Sequence, residues 1–504
     1  MHPTPPADVC LVLEGTYPYV PGGVSNWAHD LLEAQRDLTF HLVCLMPRNT
    51  ELRPRYQIPP NVTGITHVEV GGLPKGAARL RGARHLPERL ETPLRHLQLD
   101  GGLGDLADVL ALLGPLGAQL GSLLLLDSPE SWDLLLRMYR ASHSESSFLD
   151  YFWTWRVILS GLYSILLAPM PRARIYHPLC TGYAGLFAAR ARLETGRPVL
   201  LTEHGIYTNE RRIEIAMAEW LYQAPSNGLS MEKVARDLKG LWVDTFTCYS
   251  RACYEAASEV VTLYGGNQQL QLADGAHPEK LRIIPNGVDF ERLSKAAAVR
   301  GEHPPTVALI GRVVPIKDVK TYIRAIAILR NMVPDVRALV LGPTDEDPHY
   351  FAECQALASH LGLQACFTFA GSVSIAEHLG GLDVVVLTSI SEAQPLVILE
   401  AGSAGVPSVA TDVGACREMI HGDRRETEPL GPGGEVVPLS NPTATAQAIA
   451  RLLTDRAGWE RASRAIRERV RRYYNKPALD RAYREVYDYW RSADPQPLGR
   501  KGAA

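Results

Sequence analysis

The chain is poor in the signals that would mark metal-clipped, secreted or nucleic-acid-binding proteins. Its eight cysteines are scattered over 504 residues, with no Cys-x-x-Cys pair and no zinc-like spacing. A disulfide framework and a structural zinc are therefore not expected, and free thiols in a reducing cytoplasm are the simplest reading. An excess of one charge is missing too: 52 Lys and Arg face 55 Asp and Glu, a formal net charge of -3. A balance so close to zero, with an ordinary apolar fraction, argues against disorder and against nucleic acid as a partner. The start, Met1-His2-Pro3-Thr4-Pro5-Pro6, has no basic region followed by an apolar core and does not read as a secretory signal. After the first buried run there is no Gly-x-Gly-x-x-Gly, and no acidic residue suited to a ribose stands about twenty positions on, so a dinucleotide site is not expected.

What is present is alternation of short apolar runs with helical stretches, over a length that suits two large domains or three small ones. The most informative stretch runs from residue 383 to 402. Asp383-Val384-Val385-Val386-Leu387-Thr388 is continuous, β-branched and apolar, the pattern of a strand buried on both faces of a parallel sheet. A polar loop with Glu392 follows, and Pro395 is expected at the first position of a helix that carries Leu396, Val397 and Glu400. Glu392 would then sit at the carboxyl end of a strand, where open α/β sheets bind ligands. The free N–H groups of the next helix would face the same space and suit a phosphate. Glu400, about one and a half turns inside the helix, could reach a ligand hydroxyl.

The rest of the chain repeats this grammar. Residues 8–15 read as a strand, and a loop containing Gly22 and Gly23 leads into a helix from about Asn26. Paired glycines there let backbone approach an anion, although a tight turn needs them as well. Residues 75–95 are Arg-rich with Glu88 and Glu91, and read as a solvated helix face. Residues 103–138 are leucine-rich and look like helices of a domain insertion. Residues 148–170 are the most apolar. They are long enough to span a bilayer but interrupted by Asp150 and Arg156, so the reading is a buried amphipathic helix with a membrane-associated one as the alternative. Strands come next at 173–177 and 199–202, the latter ending in Glu203-His204-Gly205. A strand-end histidine beside a glycine is well placed for a ligand, although a lone histidine without further motifs is more often structural. The run 209–212, Asn-Glu-Arg-Arg, either lines an acceptor or is simply solvated. Residues 245–250 and 259–263 are further strand candidates. In Ile284-Pro285-Asn286-Gly287-Val288-Asp289 the Asn-Gly pair makes a turn, and Asp289 can cap the chain segment after it. Residues 294–305 read as a linker. Residues 307–311 open a second domain, and Arg312 and Lys317 sit in the loop after that strand. Two cations beside a helix N-terminus would stabilise a diphosphate leaving group. Strands at 338–342, 367–372, 407–411 and 434–437 complete the sheet, and a Tyr- and Arg-rich helix runs from 477 to 490.

Glu392 and Glu400, with seven residues between them and Gly405-Val406-Pro407 beyond, resemble the E-x7-E motif of family 4 retaining glycosyltransferases. The Gly22-Gly23 loop, the strand-end His204, the Gly311-Arg312 to Lys317 spacing and Ile284 to Asp289 resemble the same family in the same order. One departure is Ala393, where the family often has glycine. The resemblance implies an α/β, GT-B fold of two Rossmann-like domains with parallel sheets facing across an interdomain cleft. The first would span 1–295 with a helical insertion near 75–170, the second 296–476, and a helix at 477–495 would cross back to the first. It implies that Arg312 and Lys317 meet the donor diphosphate together with the helix N–H groups that follow Pro395, those of Leu396 and Val397. Glu392 would hold the donor sugar, Glu400 the ribose, and His204 the sugar from the opposite domain, with Gly22 and Gly23 close by. With no Asp-x-Asp in a loop suited to a metal and cations already serving the diphosphate, no metal or other cofactor is expected. The wording Y-P-Y-V-P-G-G-V-S-N-W, T-E-H-G-I-Y-T-N-E-R-R and S-I-S-E-A-Q-P-L-V-I-L-E is similar to the cytoplasmic glycosyltransferases of Pel exopolysaccharide synthesis. That implies a UDP-sugar donor (UDP-glucose or a UDP-N-acetylhexosamine), a polysaccharide acceptor, and work beside inner-membrane synthesis and export proteins. The alternatives are a nucleotide-sugar epimerase of this fold, a phosphorylase with lysine-bound pyridoxal, and a scaffold that binds nucleotide sugar without turning it over.

Overall fold

The computed structural model describes residues 5–495 apart from 49, 51, 81, 82, 84, 218–237 and 297–302. The middle of the linker expected at 294–305, and the first four residues, lie outside the described residues. The chain divides into two compact units. The first comprises residues 1–262, 267–283 and 483–504, and the second 263–266 and 284–482.

Among the described residues the first unit holds seven strands: β1 (Ala7–Glu14), β2 (Phe40–Pro47), β3 (Val62–Val70), β4 (Ala173–Pro178), β5 (Leu200–Glu203), β6 (Glu259–Thr262) and β7 (Leu281–Ile283). They form a parallel sheet in the order β3-β2-β1-β4 and another in the order β5-β6-β7. A parallel bridge between Tyr176 and Val199 links the two. Val9 to Leu13 are all almost fully buried. This is why β1 reads as an unbroken apolar run: helices cover both faces of a parallel sheet. The edge strand β3 is mostly half-buried, so its alternation with Thr, His and Glu hides it from that pattern.

The inserted block is helical, ending in the Phe148–Leu166 helix. Its Tyr151, Trp155, Ile158, Leu159 and Leu162 are buried in the unit's core, while Leu149, Trp153 and Val157 stay exposed. Among the described residues no helix is long and apolar enough to cross a membrane. The strand expected at 245–250 is instead the middle of a helix, Leu238–Ala256. Its threonines gave a β-like pattern. In the structure Thr245 and Thr247 turn their hydroxyls onto the carbonyls of Leu241 and Val243, at 2.7 and 2.8 Å. Packing of the helix's buried face overrides the local preference.

The second unit holds β8 (Thr306–Ile310), β9 (Arg337–Leu341), β10 (Phe367–Gly371), β11 (Val384–Leu387), β12 (Ser408–Thr411) and β13 (Gly434–Val437). All neighbours are parallel, in the order β10-β9-β8-β11-β12-β13. Alternate residues feed two cores: Val307, Leu309, Val384 and Val386 on one face, Ala308, Ile310, Val385 and Leu387 on the other. The order reverses between β8 and β11. Such a switch point, at the carboxyl ends of the strands, is where an open α/β sheet leaves room for a ligand.

Candidate functional site

In the second unit, the loops leaving β8 and β11 flank that switch point. Lys317 closes a short 3-10 turn, Pro315–Lys317, and Glu392 lies in the loop after β11. Their head groups meet as an ion pair, with both side chains largely covered. Ser389 donates its hydroxyl to the same Glu392 oxygen at 2.6 Å. The backbones are tied independently of the charges. Thr388 donates its hydroxyl to the carbonyls of Lys317 and Asp318, at 2.9 and 3.0 Å. The N–H of Ile390 donates to the carbonyl of Ile316 at 2.9 Å. Asp318 is held at φ 44, ψ 51, an uncommon conformation for a side chain with a Cβ. It is stabilised there because the carboxylate caps the Val319–Leu329 helix, accepting from the N–H and hydroxyl of Thr321 at 3.2 and 2.7 Å.

The Glu392 loop is braced from two further sides. The N–H of Ala415 donates to the carbonyl of Ala393 at 2.8 Å. Gln394 is buried, accepts the N–H of Asn286 at 2.7 Å and donates to its carbonyl at 3.4 Å. The Asn-Gly turn thus supports the loop directly, a contact that nothing in the sequence announced. Asp289 caps the helix Phe290–Leu293 by accepting from Arg292 N–H at 3.0 Å, as its place after the turn implied.

Pro395 is the N-cap, and the helix proper is Leu396–Ser403. The helix therefore starts one residue later than expected, because the extended ψ of 108° at Pro395 keeps it outside. This helix end has no side-chain cap and no acidic residue in its first turn, which leaves its dipole available to an anion. Glu400 lies on the same helix. Burial raises its carboxyl above the usual range, opposed by the Arg292 guanidinium. Arg312 does not join the Lys317–Glu392 pair. It forms a two-pronged contact with Glu346, at 2.7 and 2.9 Å, with both side chains about half exposed. An Asp-x-Asp string, Asp345 to Asp347, lies in the loop beyond β9. Asp347 there caps the Pro348–His360 helix, accepting from Tyr350 N–H at 2.9 Å.

In the first unit, Gly22 and Gly23 open the Gly23–Ala34 helix, and a Cβ on either would meet nothing within 4 Å. The backbone there borders open space. His204 follows β5 and is 9% exposed, with neither ring nitrogen hydrogen-bonded among the described residues. Burial pushes its pKa down to about 4, so the imidazole is neutral at physiological pH. Its neighbour Glu203 is fully buried, accepting from Tyr254 at 2.7 Å, Gln271 at 2.9 Å and Thr181 at 3.2 Å. Burial lifts this carboxyl to about 7, with those donors pulling the other way. Arg211 of the 209–212 run is engaged within the unit: it donates to the Tyr207 hydroxyl at 3.0 Å and lies over the Tyr207 and Phe246 rings.

Residues 304–455 match the family model described as Glycosyl transferases group 1. The D-inositol 3-phosphate glycosyltransferase of Kribbella flavida is 32% identical over 219 residues, 40% of this chain and 47% of that protein. The one from Mycobacteroides abscessus is 30% identical over 221 residues, 42% of this chain and 47% of the other. The chain thus spans about half the length of the curated relatives it matches. Among solved structures, sucrose-phosphate synthase from Thermosynechococcus elongatus superposes with a TM-score of 0.55 at 18% identity, covering 95% of this chain and 98% of that one. Anabaena HepE, solved in complex with UDP and glucose, gives 0.53 at 15% identity, with 96% and 99% covered. At such identities the likeness speaks for the fold, which is mixed α/β with parallel sheets in two Rossmann-like domains. The fold is of the GT-B type, with parallel sheets in two Rossmann-like domains, and the match to Glycosyl transferases group 1 falls on the second of them. The chain belongs to the family described as Domain of unknown function (DUF3492), whose model matches residues 7–279, more than half of the 504.

Proposed function

We propose that this protein is a retaining, metal-independent hexosyltransferase that moves a sugar from a UDP-sugar to a growing exopolysaccharide of the Pel type. The observation that carries the reading is the Lys317–Glu392 pair, fixed at the switch point of the second unit's sheet. Cleaving a sugar–diphosphate bond builds negative charge on the leaving phosphate and positive charge at the anomeric carbon. A cation, an anion and an uncapped helix N-terminus in one place answer both. A diphosphate would compete with Glu392 for the Lys317 ammonium, and Arg312 would have to exchange Glu346 for phosphate oxygens. Glu400, partly covered and near Arg292, suits ribose hydroxyls. Gly22, Gly23 and His204 would serve the sugar from the first unit. HepE, of like fold, has been solved with UDP and with UDP-glucose, which supports the choice of nucleotide. A PelF-like enzyme would work on the cytoplasmic side, held at the inner membrane by partner proteins, and the block near 75–170 is the candidate for docking or for widening an acceptor groove. Isothermal titration with a panel of nucleotide sugars tests the central claim. UDP and UDP-sugars are expected to bind with chelator present. Loss of binding on adding chelator would overturn the metal-free site, and no binding of any nucleotide sugar would overturn the function. Polymer as the product, rather than an isomerised nucleotide sugar, separates transfer from epimerisation.

A further inference from the structure

Two histidines stand side by side in the first unit, and their hydrogen bonding differs completely. His177, on β4, is fully buried, and both its ring nitrogens are engaged: Nδ1 with the Tyr487 hydroxyl at 2.7 Å and Nε2 with the Thr202 hydroxyl at 2.8 Å. It is a satisfied core histidine. His204 is 9% exposed and has no hydrogen bond on either nitrogen among the described residues. Buried polar groups are rarely left so, because the desolvation is uncompensated. One aromatic residue touches both rings. Trp27, on the helix that starts at Gly23, packs edge-on against His204 with centroids 4.7 Å apart. It also meets Tyr483 at 5.3 Å and His177 at 6.2 Å.

We propose that Trp27 is a positioning residue for His204, covering and orienting the imidazole so that it presents one ring nitrogen to a hydroxyl of a sugar. This deepens, and rests on, the glycosyltransferase reading. The ligand class comes from the chemistry of the ring. A neutral imidazole has an N–H on one nitrogen and a lone pair on the other, pointing apart, and a hydroxyl, itself both donor and acceptor, can pair with whichever of the two faces it. An anion would ask for two donors, hence an imidazolium, and the burial that Trp27 helps to provide disfavours that charge. The other titratable groups near His204 do not supply charge to hold it: the His177 ring is driven to about 3 by burial, then by His204 itself. The Glu203 carboxyl is turned onto Tyr254, Gln271 and Thr181. The contact on His204's other polar group is structural: its carbonyl accepts from Asn267 at 3.5 Å.

The test uses the full chain and two readouts. In protein labelled at histidine Cε1, the His204 resonance is identified by its loss in His204→Gln and followed over pH. In wild type it is expected to titrate near 4. In Trp27→Leu water reaches the ring, and the midpoint is expected to move toward the ordinary value of about 6.5. In the same variant kcat with a UDP-sugar should fall at least about tenfold, as for loss of orientation at a reacting centre, with KM for the donor nearly unchanged. Trp27→Phe, which keeps an aromatic edge with less cover, should lie between and restore most of kcat. It also decides the matter if Trp27→Leu does not fold. An unmoved His204 midpoint in either folded variant, or an unchanged kcat in Trp27→Leu, overturns the proposal. If wild type turns over no nucleotide sugar, the function reading has failed, and the titration still judges the role of Trp27.

Discussion

Replacing Gly414 by alanine should disable the site while sparing the fold. Gly414 has φ 51, and a Cβ there would lie 2.2 Å from the Glu392 carbonyl oxygen and 2.4 Å from that of Ala393. Those are backbone atoms, so no rotamer change relieves the clash. An ordinary carbon–oxygen contact is about 3.3 Å or more, so the Glu392 loop must move by roughly 1 Å relative to the loop after β12. A displacement of that size at a reacting centre costs on the order of a hundredfold in rate. The left-handed backbone adds about 1–2 kcal/mol of strain, roughly 2–8 °C in melting temperature for a unit of about 200 residues. Gly362→Ala is the control. Gly362 has φ 67, yet its Cβ would meet nothing within 4 Å, so it carries the strain without the clash. Initial rates of UDP release, with melting curves for both variants, separate the two contributions. Gly362→Ala should lose stability and keep turnover, whereas Gly414→Ala should lose both. Wild-type turnover in Gly414→Ala would refute the claim that the position of Glu392 governs the reaction.

Lys317→Ala and Glu392→Ala should each lose at least about a hundredfold in kcat, whereas Glu400→Ala should raise the Kd for UDP more than it slows turnover; full activity in Glu392→Ala would remove that residue from the site. Glu203 gives a pH prediction. Its carboxyl is raised from 4.5 to about 7, so the native state binds the proton more tightly than the unfolded chain, and stability should fall as pH rises from about 4.5 to about 7, by a few kcal/mol in total. Glu203→Gln should flatten this slope in denaturant titrations, and an unchanged slope would contradict it. If the block near 75–170 is the docking surface, replacing its exposed Leu149, Trp153 and Val157 by polar residues should release the protein from membranes that contain its partners while nucleotide binding is kept; continued co-sedimentation would rule that face out as the docking site.

The sequence disclosed most where one physical demand dominated. Strands buried on both faces, such as β1, β8 and β11, show as continuous apolar runs, and the residues just beyond them fall at strand ends. Lys317, Glu392 and His204 could be placed in this way. It disclosed little where elements are half-exposed or where partners come from far along the chain. The edge strand β3 alternates too loosely to stand out, and the helix at Leu238–Ala256 looks β-like because threonine's preference yields to packing. That Arg312 would turn to Glu346 was not legible, since a salt bridge between two half-exposed loops has no local signature. Neither was the contact of Trp27 with His204, 177 residues apart in sequence, although an aromatic residue four positions after a Gly-Gly pair was a signal that could have been pursued.

The hydrogen bonds from Thr388 and Ile390 to the Lys317 loop have a consequence for the site's plasticity. Neither involves an ionisable head group, so the two loops keep their separation when one charge is removed. In the proposed reaction these two loops would then need little rearrangement as charge migrates toward the phosphate. It also means that the missing ammonium of Lys317→Ala leaves its place behind rather than a collapsed loop, and a small alkylamine added to the solution should restore part of the lost turnover.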